Sequence, residues 1–180
     1  MKKISKGEKV IKEENLAGML ESVLAGRVKE YKLVDPKTVV VAEWVRFKCQ
    51  FGCDGYAQSF TCPPYSPEPS RTKRMLEEYE LAAILWKPDS YENLRKITTD
   101  LERTLFLSGY YKALAIPSGP CELCNPCPLE YPCQHPEYAR PSMEACGIDV
   151  YATVRQHGFP IEVVRSRNCQ PNYYALVLIE

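Results

Sequence analysis

The chain carries no excess of charge of either sign: 23 lysines and arginines stand against 23 aspartates and glutamates in 180 residues. That balance argues against a general nucleic-acid binder, which is as a rule basic. Long apolar runs are also missing. No stretch approaches the roughly 20 apolar residues that cross a bilayer, and the N-terminus has no apolar signal core. The expectation is a soluble, cytoplasmic chain with neither nucleic acid nor membrane as partner. Met1 to Lys12 does carry Lys2, Lys3, Lys6, Lys9 and Lys12, which reads as a solvated face or a frayed end rather than a nucleic-acid arm. There is no internal repeat, low-complexity tract, phosphate loop, dinucleotide glycine fingerprint or Ser/His/Asp arrangement. Histidine is scarce, with only His135 and His157.

What the chain does have is cysteine, nine in all. A reducing compartment disfavours a disulfide frame, and the count is odd and clustered, which favours metal ligation. Clusters of iron and sulfur would further suit an oxygen-poor, anaerobic cell. The densest stretch runs Gly119-Pro120-Cys121-Glu122-Leu123-Cys124-Asn125-Pro126-Cys127 and is followed by Cys133. Its spacing, C-x2-C-x2-C-x5-C, begins with the run that holds iron–sulfur clusters in bacterial ferredoxins. Such a run wraps the backbone around one compact object and turns several sulfurs inward. Zinc sites more often pair two Cys-x2-Cys knuckles a dozen or more residues apart, so a [4Fe–4S] cube is the first reading and zinc the alternative. Pro120, Pro126, Pro128 and Pro132 stiffen this loop and reduce the entropy lost on ordering it.

A looser group follows the spacing C-x3-C-x8-C: Cys49, Cys53 and Cys62, with Pro63 and Pro64 directly after. Three thiols make a half-closed site for a second cluster. A fourth ligand would come from Cys146, Cys169, His135 or His157; without one, an iron stays open and can bind a small-molecule substrate. The competing reading is that Cys49, Cys62 and Cys146 are packed hydrophobic thiols. A cube on four thiolates carries net negative charge, and Arg140 together with a helix start near Ser142 is the expected source of stabilisation. His135 is a candidate donor to sulfur, and His157 reads as a helix C-terminal cation. Tyr56, Phe60 and Tyr65 surround the first Cys loop, as shields or as ordinary packing.

The rest of the chain reads as alternating elements. Helices are expected over 13–27, 70–78, 91–108 and 142–156, and strands over 38–47, 80–87, 111–117, 161–165 and 173–179. The helix over 91–108 places Leu94, Ile97, Leu101 and Leu105 on one stripe, with Asp89 and Glu92 at capping-box spacing and Gly109 as its stop. The fold class is α/β or α+β: one domain over 1–180 with a small mixed sheet flanked by helices. It has an N-terminal helical segment over 1–30 and two Cys-rich loops over 49–64 and 119–141.

The segments Cys49-x3-Cys53-x8-Cys62-Pro63-Pro64, Gly119 to Cys127, Cys133-Gln-His-Pro136 and Arg140-Pro-Ser-Met-Glu-Ala-Cys-Gly-Ile-Asp-Val150 together resemble the predicted metal-binding proteins grouped as domain of unknown function 2284. The resemblance spans roughly residues 38 to 180. It implies a cytosolic metal-binding protein of iron–sulfur type, with ligands at Cys49, Cys53, Cys62, Cys121, Cys124, Cys127 and Cys133. Three functional readings stand. The first is an electron-transfer protein with a [4Fe–4S] cluster on Cys121, Cys124, Cys127 and Cys133 and a second cluster on Cys49, Cys53 and Cys62, with Cys146 as an added candidate ligand; it exchanges electrons with a redox partner protein. The second is a zinc-stabilised interaction module. The third is an enzyme, a reductase or a desulfidase, that uses an open iron on the first loop.

Overall fold

The computed structural model describes residues 6–166 and 168–180, with side chains from residue 14 onward. Its centre is a four-stranded sheet in the order β1-β2-β4-β3. The strands are β1 (Glu30–Val34), β2 (Ala82–Lys87), β3 (Leu114–Ile116) and β4 (Tyr173–Leu178). Every neighbouring pair is antiparallel, so the fold is α+β and the expected mixed sheet has no parallel pair. The alternation of β2 and β4 sorts two cores. Ala83, Leu85, Ala175 and Val177 face one side, and Ala82, Ile84, Leu176 and Leu178 face the other. Successive strand side chains point to opposite faces, which is why two cores can share one short sheet.

Two helices cover the first face. α1 (Lys6–Leu24) contributes Leu16, Leu20, Val23 and Leu24, and α4 (Tyr91–Leu107) contributes Leu94, Ile97, Leu101 and Leu105. The expected helix over 13–27 is therefore longer at its start and ends at Leu24. Met1 to Ser5 lie outside the described residues, as do the side chains of Lys6, Lys9 and Lys12. The stripe expected on α4 is entirely buried. Its cap differs from the expected pair. Ser90 is the N-cap, its hydroxyl accepting from Asn93 N–H at 3.2 Å, while Asp89 pairs with Lys87. Gly109 leaves the helix at φ +99°, a conformation in which glycine carries no Cβ penalty.

The second face is covered by irregular backbone and short helices. Leu76 from α3 (Pro69–Leu76), Met143, Cys146 and Ile148 around a 3-10 turn (Glu144–Cys146), and Val154 from α5 (Val150–Gln156) form its core. Two expectations fail here. The continuous helix over 142–156 is broken at Gly147, which sits at φ +76°; Ser142 caps the short turn through Ala145 N–H, and Asp149 caps α5 through Ala152 N–H. The strand over 161–165 is absent. Ile161 is buried, but Val163 and Val164 are exposed, so only one side chain of that run reaches the core.

The largest departure is at 38–47. Its β-branched run is extended only around Val39 to Ala42, where Ala42 N–H bonds Gly147 C=O and Asp149 N–H bonds Val40 C=O. The chain then turns into α2 (Glu43–Gly52). Val45 is buried on α2 while Trp44, Phe47 and Phe51 are exposed, so tertiary packing overrides the strand propensity of the sequence.

Gly147 is held by close approach as well as by its torsion: a Cβ there would lie 2.6 Å from Pro69 Cγ. Gly147→Ala is expected to lower the unfolding free energy by about 2–4 kcal/mol, the sum of left-handed strain and overpacking. Urea denaturation measures it.

Candidate metal centre

α2 places Cys49 within its last turn and Cys53 at its C-cap. The i, i+4 spacing puts both thiols on one side of the helix. Arg46 fixes that helix to its surroundings. Its guanidinium donates to Ser66 Oγ (2.7 Å), Ala145 C=O (2.8 Å) and Glu68 Oε1 (3.1 Å), tying α2 to the segment after Cys62 and to the 3-10 turn. Cys49, Cys53 and Cys62 line a single cleft of about 440 Å³, together with Trp44, Lys48, Tyr56, Glu144 and Tyr151.

The second Cys loop forms a different kind of enclosure. Cys121, Cys124, Cys127 and Cys133 line one small space of about 20 Å³, with His135 and Leu123 beside them. Ser59, Phe60 and Thr61 from the first loop also line this space, while Gly119 and Pro120 from the second loop line the cleft of the first. The two loops therefore interleave, and the two groups of sulfurs stand in adjoining cavities. Phe60 packs edge-to-face on Tyr65 at 5.7 Å, so the expected aromatic cover is divided: Tyr56 serves the cleft and Phe60 the small space. Cis peptide bonds precede Pro64, Pro126 and Pro132. Ala57 (φ 59°) and Leu129 (φ 55°), the non-glycine residues with left-handed backbone among those described, also fall in these loops. Such conformations persist where the surroundings enforce them.

The electrostatics suit anions that need a cation. All nine cysteines are free thiols. Partial burial, then the sulfurs of Cys127, Cys121 and Cys133, push the Cys124 thiol upward. Burial and Cys53 do the same to Cys49, with Arg46 opposing. Four thiolates in one small space repel one another unless a metal neutralises them, which is how metal binding and thiol ionisation are linked. Among the described residues no three His, Cys, Asp or Glu side chains stand in position to hold a single ion. A tetrahedral ion with bonds of about 2.3 Å would need sulfurs closer together than those of a polynuclear cluster. The donor set, four soft sulfurs around one space and three around the other, suits zinc or an iron–sulfur cluster.

Arg95 is the residue that sequence reading missed. It lies on α4 beside the buried stripe and is 8% exposed. It donates to Gly119 C=O (2.9 Å), Ser118 C=O (3.4 Å) and Arg140 C=O, and no ion pair to it occurs among the described residues. Burial pulls its pKa down, and the nearby Cys121 sulfur opposes that most, followed by Cys62 and Glu122. One buried cation thus faces both groups of thiols. An arginine amid the leucines of an amphipathic helix was the available signal. Arg140, the expected counter-charge, is committed elsewhere: it forms a two-pronged pair with Glu102 (2.6 and 2.9 Å) and donates to Pro136 and Ala139 carbonyls.

The chain matches the family model described as predicted metal-binding protein (DUF2284) over residues 32–179. It belongs to the DUF2284 family. No curated protein and no solved structure is similar to it at a significant level. Among the described residues of this DUF2284 chain, no helix is long and apolar enough to cross a membrane.

The remaining candidate ligands stand apart from both cavities. Cys146 is 2% exposed and belongs to the core of the second sheet face; it does not line the cleft. Cys169 is exposed near Ser166, whose hydroxyl holds the thiol below its usual pKa. His157 caps the end of α5 and bonds Thr38 Oγ1 at 2.9 Å. Burial, then the nearby Lys32, lowers its pKa.

Burial pushes the Cys146 thiol from its ordinary 9.0 up to about 12. A raised pKa means the folded state favours the neutral thiol. Its stabilising contribution is complete below pH 9 and is lost as pH rises toward 12. The slope between those limits is at most about 1.4 kcal/mol per pH unit for one proton. Tyr174, held up to about 12 by burial and Glu30, adds a similar loss above its ordinary 10.0. Urea midpoints between pH 8 and 10.5 are therefore expected to fall with pH in the native chain and to fall less steeply in Cys146→Ala.

Proposed function

We propose that this DUF2284 chain is an iron–sulfur electron-transfer protein. Cys121, Cys124, Cys127 and Cys133 would hold a [4Fe–4S] cluster, and Cys49, Cys53 and Cys62 a second one. The carrying observation is that four cysteines from one thirteen-residue stretch line a single small enclosure. A cluster held there supplies one-electron oxidation and reduction. The chain's own residues do the rest: Phe60 packs over the space from the first loop, and the buried Arg95 guanidinium offsets negative charge on the thiolates. The interleaving of the loops favours exchange between two neighbouring centres, with a redox partner protein at the outer end. Residence in the cytoplasm is part of this reading.

The zinc-stabilised module is the rival, and reconstitution separates the two. Chelated protein is expected to recover its native circular dichroism and urea midpoint with ferrous iron and sulfide under argon, and to fail with zinc alone. Full recovery with zinc, and none with iron and sulfide, would replace the electron-transfer reading with the zinc one.

A further inference from the structure

The two groups of thiols differ in one respect that bears on ligands. Four sulfurs share a small space of about 20 Å³, whereas three stand on the wall of a cleft of about 440 Å³. The larger volume falls in the range of small-molecule sites, roughly 300–1,000 Å³. No fourth sulfur and no imidazole lines the cleft. Cys146 is sealed in the core. Its walls are aromatic and aliphatic: Trp44, Tyr56, Tyr151, Val45, Ile148 and Pro120. Only two charged side chains reach it, Lys48 and Glu144, and they are of opposite sign. Lys48 Nζ lies 5.2 Å from the centre of the Trp44 ring. Glu144 is exposed and lines the cleft. These two charges offset each other, and the aromatic and aliphatic walls favour an apolar body.

We propose that this cleft binds a small organic molecule with a flat apolar body and a sulfur donor, the sulfur ligating the iron that Cys49, Cys53 and Cys62 leave without a protein ligand. This rests on the second-cluster reading above. Sulfur is the donor because the other ligands of that centre are soft thiolates, a donor class that suits iron–sulfur centres. The aromatic walls hold the body by apolar burial and ring packing.

The test uses full-length protein reconstituted under argon with iron and sulfide, and three probes. Benzyl mercaptan has both the ring and the sulfur, ethanethiol has the sulfur alone, and benzyl alcohol the ring alone. Each is titrated against the electron paramagnetic resonance signal of the dithionite-reduced protein. Benzyl mercaptan is expected to shift one signal saturably and to bind on the order of tenfold more tightly than ethanethiol, the worth of burying one ring. Benzyl alcohol is expected to leave the signal unchanged, and Cys62→Ser to abolish the shift. Trp44→Ala and Tyr151→Ala, with iron content unaltered, are each expected to weaken benzyl mercaptan by a similar factor. Equal affinity for benzyl mercaptan and ethanethiol, no loss in either variant, or no shift in protein whose iron and sulfide account for two clusters would overturn the proposal alone. A preparation with one cluster, its iron unaffected by Cys49→Ser, Cys53→Ser and Cys62→Ser, would remove the second cluster and this site with it.

Discussion

Arg95→Met is expected to lower the unfolding free energy by about 3–5 kcal/mol, because three carbonyls lose a charged donor inside the protein. In metal-loaded protein it is also expected to move the reduction potential of the four-cysteine centre to a more negative value. The first effect follows from the bonds to Ser118, Gly119 and Arg140 carbonyls. These three residues bracket the second Cys loop, so the guanidinium is the clasp that closes it. The second effect follows from charge. Adding an electron makes a thiolate-bound cluster more negative, and a nearby buried cation favours that reduced state. Arg95→Lys separates the two. It keeps the charge but cannot reach three carbonyls with a planar fork, so it is expected to lose stability while keeping the potential near that of the native chain. A potential that does not move in Arg95→Met would leave Arg95 a purely structural clasp. Urea titration and redox titration under argon give the two numbers.

The second large effect belongs to Glu102, whose carboxylate accepts both Arg140 prongs and also the Ala115 N–H at 2.6 Å. The two paired side chains are 14% and 19% exposed. Removing one partner of a largely buried pair leaves the other charge stranded, and such losses run to about 3–5 kcal/mol. Glu102→Ala is expected near the lower end, about 3 kcal/mol, since Arg140 keeps its bonds to the Pro136 and Ala139 carbonyls. Arg140→Ala and the double variant complete a cycle, and the coupling between the two sites is expected to exceed about 1 kcal/mol. Because Arg140 follows Cys133 by seven residues, loosening this pair is also expected to speed metal loss to a chelator. Unchanged loss rates in Glu102→Ala would show that the loop is held without it.

The parts of the fold that a linear reading captured are those decided by local pattern. The stripe from Leu94 to Leu105 and the apolar runs of β2 and β4 each carry their own period. What escaped was decided by distant partners. The run Val39-Val40-Val41 looks like the start of a strand, but the hydrogen bonds of Val40 go to Asp149 and Thr153 and that of Ala42 to Gly147, and the chain then coils to bring Cys49 and Cys53 to one side. β1 was missed although Glu30-Tyr31-Lys32-Leu33 alternates polar and apolar: the alternation lasts only four residues, and Leu33 is exposed. Both Cys groups were visible as spacing. The insertion of Ser59 to Thr61 over the other loop's sulfurs was not, nor was the position of Arg95 facing both groups, because each depends on elements far apart in sequence.

The central claim is that Cys121, Cys124, Cys127 and Cys133 enclose an iron–sulfur cluster. Low-temperature electron paramagnetic resonance of protein purified without air and reduced with dithionite tests it most directly, with Cys124→Ser as the paired sample. The account predicts a fast-relaxing signal with the g-values of a reduced cube, lost or altered in Cys124→Ser. A silent spectrum from protein that contains zinc and no sulfide would contradict it.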